Sequence, residues 1–389
     1  MVPTPFDAAP DRRAGRAAAI GLSVWFAAYF ISFGVFLPYF PIYLNAIGLD
    51  ADAIGLMMAV PLAARVVTLP LMGALADRFA GPAQAIRCYT LAAALAGVAL
   101  LFAGTVWSIM AALALAAVFW TASLPVADAA TVRVARDNGL VYGHLRAWGS
   151  VAFLATNVAV GLILDQAPQA IILTLFVGGL WLTVLASLPL RLPVRHTPVE
   201  PHGAWSALTE LTRRPLVFVI AAAGLAQASH TLLYSFGSLY WEARGWSAGM
   251  IGALWAVSVL AEVVMFQFAG VLLQRFGPAG LIALGAGGGI VRWLAMLAEP
   301  GIAATFALQM LHGLSFGLTH LGLIHYVGDR IAPERAGAAQ ASATMLVSLA
   351  MASATVAAGP LYAGLGVGGF AVMAGVSLAA LLLVLPQRR

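Results

Sequence analysis

The chain has 389 residues, of which 62% are hydrophobic and only 9% charged. A soluble domain is roughly a quarter charged, and a disordered chain combines low hydrophobicity with high charge, so both are excluded. The net charge of +5 comes from 20 basic and 15 acidic residues. Every basic residue is Arg, and no run of Arg forms the stripe that nucleic acid would need. A single cysteine, Cys88, excludes an internal disulfide and a zinc site built on several Cys. It reads as a small packing residue.

Apolar windows of about 20 residues, enough to cross a hydrocarbon core of about 30 Å, follow one another along the chain. The first six are 17–44, 53–75, 83–103, 107–130, 146–164 and 169–190. Beyond a stretch carrying Pro193, Pro198 and Pro201 come 215–238, 250–273, 279–298, 301–326, 337–364 and 368–386. The runs are continuous rather than alternating, which speaks against a β-barrel. Gly81-Pro82, Gly277-Pro278 and Pro300-Gly301 mark turns between them. The expected fold class is all-α integral membrane with twelve transmembrane helices. Residues 1–16 read as a polar tail without a cleavage pattern.

Arginine placement predicts the topology. With the N-terminus inside and sides alternating, fifteen arginines, from Arg12, Arg13 and Arg16 to Arg388 and Arg389, fall at cytoplasmic ends, and only Arg244 falls opposite. That bias predicts both termini in the cytoplasm of a cell whose inner membrane holds the chain.

The sequence also repeats. Displaced by 197 residues, Tyr43–Phe79 lies over Tyr240–Phe276 without a gap, and 15 of 37 positions are identical. Gly48/Gly245, Ile54-Gly55/Ile251-Gly252, Gly73/Gly270 and Arg78-Phe79/Arg275-Phe276 are among the matches. The expected organisation is two parallel six-helix bundles, 17–190 and 215–389, joined by a linker over 191–214, with a substrate site between them. Within the repeat, Arg65 takes the place of Glu262. Charges in mid-membrane are costly unless paired or facing a wet cavity; an ion pair between these two and separate partners for each are both open readings.

Gly73-Ala-Leu-Ala-Asp77-Arg78-Phe-Ala-Gly81 resembles the signature between helices 2 and 3 of the major facilitator superfamily, a gating and packing element centred on Gly73, Asp77 and Arg78. Its final Gly is displaced by one, and the second-half copy has Gln274 in place of the acid. Pro125-Val-Ala-Asp128 followed by Arg146 resembles the helix 4 and helix 5 spacing of lactose-permease-type oligosaccharide–proton symporters. That resemblance implies substrate binding by Asp128 and Arg146, with Phe153 stacking on the substrate. Arg275, Arg292 and His312 resemble the same family's helix 9 and helix 10 residues, and Glu262 its helix 8 glutamate displaced by a turn. Ser315 stands where those permeases carry a proton-accepting glutamate. Over nearly its whole length the chain is similar to the 3-phenylpropionate permease group. Arg146-Ala-Trp148-Gly-Ser-Val-Ala-Phe153, Gln227-Ala-Ser-His230, Ala261-Glu262-Val263 and Val291-Arg292-Trp293 carry that likeness. It implies proton-coupled transport of a small organic molecule such as an aromatic acid.

Three arginines (Arg65, Arg146, Arg292) against two acids (Asp128, Glu262) give the interior one spare positive charge when its histidines are neutral. That suits a monocarboxylate, which an arginine fork holds bidentately. Arg146 or Arg292 would receive it, and Asp128 would hold Arg146 in the empty site; a fixed Asp128–Arg146 structural pair is the duller alternative. Gln227, His230 and Tyr234 are candidate lining residues. Glu262 is the first candidate proton carrier, because desolvation and a nearby arginine pull its proton affinity in opposite directions. His312 is the second, because imidazole ordinarily titrates near neutrality. Trp107, Trp241 and Trp246 read as membrane-interface residues. Gly285–Gly289 reads either as a loosened segment or as close packing. The expectation is a secondary transporter without a cofactor or metal, monomeric, with a small solute, a proton and the bilayer as partners. A sugar or nucleoside permease and a non-transporting receptor or assembly factor of the same fold are the alternatives. No catalytic constellation or nucleotide loop is present in the sequence, so an enzyme is not expected.

Overall fold

A computed structural model describes residues 12–76, 78–192, 211 and 214–388. Asp77 of the gating motif, residues 1–11 of the tail, and 193–210 and 212–213 of the linker lie outside the described residues. Among the described residues there are helices and no strand. The first half holds α1 (Arg12–Ala46), α2 (Ala51–Ala76), α3 (Pro82–Leu100), α4 (Val106–Asp137), α5 (Tyr142–Leu164) and α6 (Ile171–Ser187). The second holds α7 (Leu216–Ala228), α8 (Thr231–Ala243), α9 (Ala248–Gln267), α10 (Ala269–Met296), α11 (Ile302–Met310), α12 (Thr319–Gly328), α13 (Pro333–Leu365) and α14 (Gly369–Val384). Ten stretches are long and apolar enough to cross a membrane, and Ile171–Ser187 is a shorter apolar helix beside them. The tenth, Gly337–Gln387, takes in most of α13 and all of α14. Large apolar side chains line the outside; Phe102 is 83% exposed and Trp107 72%. Only lipid makes such a surface favourable, and only helices or closed barrels satisfy the backbone there.

Within the first half α1 packs on α5 and α6, α3 on α4 and α6, and α2 on α4. Within the second, α10 packs on α12 and α14, and α7 on α13 and α14. The halves meet where α2 lies against α13, α5 against α9, and α1 against α8.

The sequence repeat is visible in the backbone and in this interface. Gly48 and Gly245, one position in the two copies, both take positive φ, 87° and 77°, a conformation glycine adopts without steric cost. Ile54 and Ile251 are both buried. One residue on, a Cβ at Gly55 would stand 2.9 Å from the backbone of Gly359 on α13, and a Cβ at Gly252 would stand 2.1 Å from the Asn157 carbonyl on α5. Small residues let membrane helices approach to backbone contact, and here they do so at equivalent places on the two inter-half seams.

These contacts lie on the face away from the N-terminus, hereafter the far face. Tyr39 donates to the Asn157 carbonyl, and the Gly249 amide donates to the Asp165 carboxylate at 3.2 Å. Gln169 Nε2 donates to Glu242 at 2.6 Å. Both acids thus join the end of α5 to the α8–α9 turn, and the far face is closed.

All twelve expected segments coincide with helical structure, but three are interrupted. The 215–238 segment is broken at Ser229–His230 between α7 and α8. The 301–326 segment passes through a π-helical turn at Gly313–Leu318, between α11 and α12. The 250–273 segment is broken at Phe268, between α9 and α10, while Gly277 (φ 66°), at the expected turn, kinks α10. Two packing expectations are corrected. Cys88 is exposed on α3 rather than packed, and Trp241 is fully buried rather than interfacial, with Trp246 stacked on it at 6.4 Å. Gly285 and Gly289 are close-packing positions: a Cβ at each would press on Thr319 and Ser377.

Candidate functional site

The interrupted helices put polar side chains where an unbroken helix would bury apolar ones. His230 occupies the α7–α8 break, and Ser315 sits inside the π turn, a local geometry often found at functional sites. Gly313 and Gly317 let this turn lie directly on α9, where a Cβ would meet the Ala261 carbonyl or Met265. The turn thereby brings Ser315 and His312 to Arg292 of α10 and Glu262 of α9.

Arg292 is 1% exposed, and its guanidinium is fully engaged by neutral groups. It donates to Gln309 Oε1 at 2.5 Å, to His312 Nδ1 at 3.3 Å and to Ser315 Oγ at 3.4 Å, and lies over the Trp293 ring at 4.8 Å. Gln309 is held in turn by Ser258 Oγ (3.1 Å) and the Leu254 carbonyl (3.3 Å).

The partners fix both tautomers. Guanidinium only donates, so His312 Nδ1 accepts, its proton is on Nε2, and Nε2 faces Glu262 Oε2 at 3.6 Å. His230 Nδ1 faces the Ala226 carbonyl at 3.0 Å and must donate; its Nε2 then accepts from the Ser315 hydroxyl at 2.9 Å. A proton on His312 Nδ1 would point at the Arg292 guanidinium, whereas His230 Nε2 meets a hydroxyl that can accept as well as donate. Glu262 Oε2, 3.6 Å from His312, keeps carboxylate lone pairs free for a proton.

Tyr234 packs one turn beyond His230, against Trp255 (5.9 Å) and His312 (6.2 Å). Gln227 is buried; its Nε2 reaches the Phe316 carbonyl at 3.4 Å, and its Oε1 has no hydrogen-bond partner among the described residues.

A second cluster lies in the first half. Arg146 Nε stands 3.5 Å from Asp128 Oδ1, and Tyr142 donates to the same oxygen at 2.9 Å. The Arg146 guanidinium lies over two rings of α1, Phe30 at 4.2 Å and Phe26 at 5.0 Å. Arg146 and Asp128 are 25% and 33% exposed, so this pair is open where Arg292 is closed. Phe153 is buried against Phe33 at 5.7 Å, one ring removed from Phe30. The structure thus places it beneath the aromatic shelf rather than at its surface.

The two clusters flank the seam between the halves, Arg146 on α5 and Glu262 on the α9 helix that packs against it. Arg65 and Glu262 do not form an ion pair within 4.0 Å; the groups that feel Arg65 are Tyr29 on α1 and His320 on α12. Of the gating motif, Gly73 lies within α2 and Arg78 is in the turn that follows it.

Tyr142, Gln309, Ser258 and Phe316 escape sequence reasoning, because a neutral side chain in an apolar helix carries no spacing signal. Arg87 escapes the arginine count altogether. It donates to the Ser187 and Leu190 carbonyls and ties α3 to the end of α6.

Residues 19–374 match the model of the MFS_1 like family. A protein of Escherichia coli (strain K12) named "Probable 3-phenylpropionic acid transporter" is 33% identical over 378 residues, covering 93% of this chain and 96% of the relative. The "Maltose permease" of Geobacillus stearothermophilus is 31% identical over 314 residues, covering 79% of this chain and 77% of the relative. Among solved structures, nucleoside transporter NupG superposes with a TM-score of 0.81 at 15% identity, over 95% of this chain and 98% of that one. The D-xylose-proton symporter superposes at 0.68 and 14%, over 94% and 96%. These structures show the fold, and the relatives are transporters rather than enzymes. The chain belongs to the MFS_1 like family and is a multi-pass membrane transporter of the major facilitator fold.

Proposed function

We propose that the protein is a proton-coupled symporter of a small aromatic monocarboxylate resembling 3-phenylpropionate. It works by alternating access, with bundles 17–190 and 215–389 rocking about the central clusters. The linker 191–214 and both termini lie in the cytoplasm, and the working unit is a monomer in the inner membrane.

One observation carries the reading. Arg146 is a half-open guanidinium over two phenylalanine rings, restrained by a single carboxylate. A carboxylate ligand gains a charge-assisted fork there, and its aryl group meets the Phe26–Phe30 shelf. Asp128 holds Arg146 when the site is empty, with Tyr142 orienting it. Arg292, clamped by Gln309, His312 and Ser315, supplies field rather than a landing place.

Glu262 carries the proton, and His312 transmits its state to Arg292. Protonation of Glu262 removes a negative charge near Arg146, so the anion binds more tightly to the protonated carrier. By linkage the bound anion strengthens proton binding to the same degree. That reciprocity is the coupling.

Uptake of 3-phenylpropionate into vesicles containing only this protein, driven by an imposed proton gradient, tests the reading. Accumulation that ignores collapse of the gradient would refute proton coupling. The 31% identical maltose permease supports a second reading, a sugar permease, and a response to sugars alone would establish it over the anion.

A further inference from the structure

Arg65 has no role in the reading above, yet it is the least satisfied charge in the interior. It is half-buried near the middle of α2, and among the described residues no carboxylate lies within ion-pair distance and no group accepts a hydrogen bond from it. Arg292, by contrast, has three acceptors and an aromatic face. An arginine kept at mid-membrane without a protein partner faces water or a ligand.

Its surroundings say which. Tyr29 feels Arg65, Arg146 and Asp128 together, and its ring continues the shelf under Arg146, with Phe30 5.3 Å away. Opposite, His312, Phe316 and His320 form a column on one face of the π turn and α12, with ring separations of 5.0 and 6.3 Å. Along it burial falls from buried through half-buried to exposed, so the space widens toward the N-terminal face. The repeat puts Arg65 at the depth of Glu262, each 14 residues and about 21 Å from the far-face start of its helix. Arg65 and Arg146 are both half-buried, whereas Arg292 is 1% exposed.

We infer that Arg65 is the second arginine that receives the substrate's carboxylate, half-buried like Arg146 and without a protein partner of its own among the described residues. The aryl group of the ligand then lies on the Phe26–Tyr29–Phe30 shelf, and the Arg292 cluster senses the charge without touching it. This inference rests on the aromatic monocarboxylate reading and adds the residue that completes its site.

Binding of 3-phenylpropionate to purified protein, set against its uncharged amide, tests it in Arg65→Gln, Arg65→Lys and Arg146→Gln. Loss of one charge-assisted contact weakens carboxylate binding about ten- to a hundredfold. Arg65→Gln is expected to show that loss, Arg65→Lys to recover part of it, and amide binding to be indifferent to both. Without ligand, Arg65→Gln is expected to melt at or above the wild-type temperature, because it removes an unpaired charge. Carboxylate binding unchanged by Arg65→Gln but lost in Arg146→Gln overturns this inference alone. A lowered melting temperature of unliganded Arg65→Gln overturns it too, by revealing a structural partner. Wild-type protein that binds no carboxylate overturns this inference and the substrate reading together.

Discussion

Closure of the far face depends on glycines that admit no side chain, Gly55 and Gly359 on one seam and Gly161 and Gly252 on the other, and Gly252→Ala is its sharpest perturbation. The added Cβ would stand 2.1 Å from the Asn157 carbonyl and 2.4 Å from the Tyr39 hydroxyl. An ordinary contact begins near 3.4 Å, so α9 and α5 must separate by about an ångström at the point where both present backbone. Overpacking of this kind costs about 1–3 kcal/mol, and the cost falls only on the closed state. The ratio of closed to open far face should therefore fall by a factor of about 5 to 150. Spin labels at Leu101 and Ile302, exposed far-face positions in the first and second halves, report this as a longer component in their distance distribution. Cys88 is first replaced by Ser so that no third label attaches. Gly55→Ala, with its 2.9 Å approach to Gly359, should act in the same direction but more weakly. Gly178→Ala meets nothing within 4 Å and should do nothing. If Gly252→Ala leaves the distribution unchanged, or Gly178→Ala alters it equally, the seam does not govern closure.

Three further outcomes follow from the clusters. Glu262→Gln should abolish proton-driven accumulation while preserving exchange of labelled for unlabelled substrate across vesicles, since only the proton site is lost; loss of exchange as well would assign Glu262 to substrate binding. Gln309→Ala frees Arg292 from its shortest contact and leaves a buried donor unsatisfied, so the melting temperature should fall by an amount corresponding to about 1–3 kcal/mol; an unchanged melting temperature would mean the clamp is not formed. Tyr142→Phe removes one of two restraints on Asp128, worth about 1 kcal/mol, so the half-saturating substrate concentration should change severalfold with little effect on stability; equal loss in both would make Tyr142 structural.

The helices and the family were legible because composition and hydropathy reflect the solvent, and the bilayer is an unusually demanding one. Charged residues in those helices were legible for the same reason, since each is expensive. Neutral polar residues were not. Ser315 first reads as the loss of a glutamate, yet in the structure its hydroxyl joins Arg292 to His230. Gln309 and Tyr142 look like ordinary helix residues until their partners are known. The break at Ser229–His230 contains neither Pro nor Gly, so no local signal announces it. The π turn carries Gly313 and Gly317 as its only mark, and glycine is common throughout the chain. Phe153 was drawn toward the ligand by its spacing from Arg146, but its position on the helix sends it beneath the shelf.

Where the two halves agree and where they differ separates frame from chemistry. Gly48 and Gly245 share a backbone conformation, Ile54 and Ile251 share burial, and Gly55 and Gly252 both press on the opposite half. Eleven residues beyond Ile54 and Ile251, on the same pair of helices, the repeat sets Arg65 against Glu262. A rocking motion between two halves needs equivalent seams on either side of the axis, or one side would bind while the other opened. Coupling needs the reverse. If both positions carried arginine, no member of the pair could take up a proton; if both carried glutamate, the cavity would repel an anion. In the proposed symport, a fixed cation in one copy and a titratable acid in the other would let a symmetric frame move a proton and a carboxylate together.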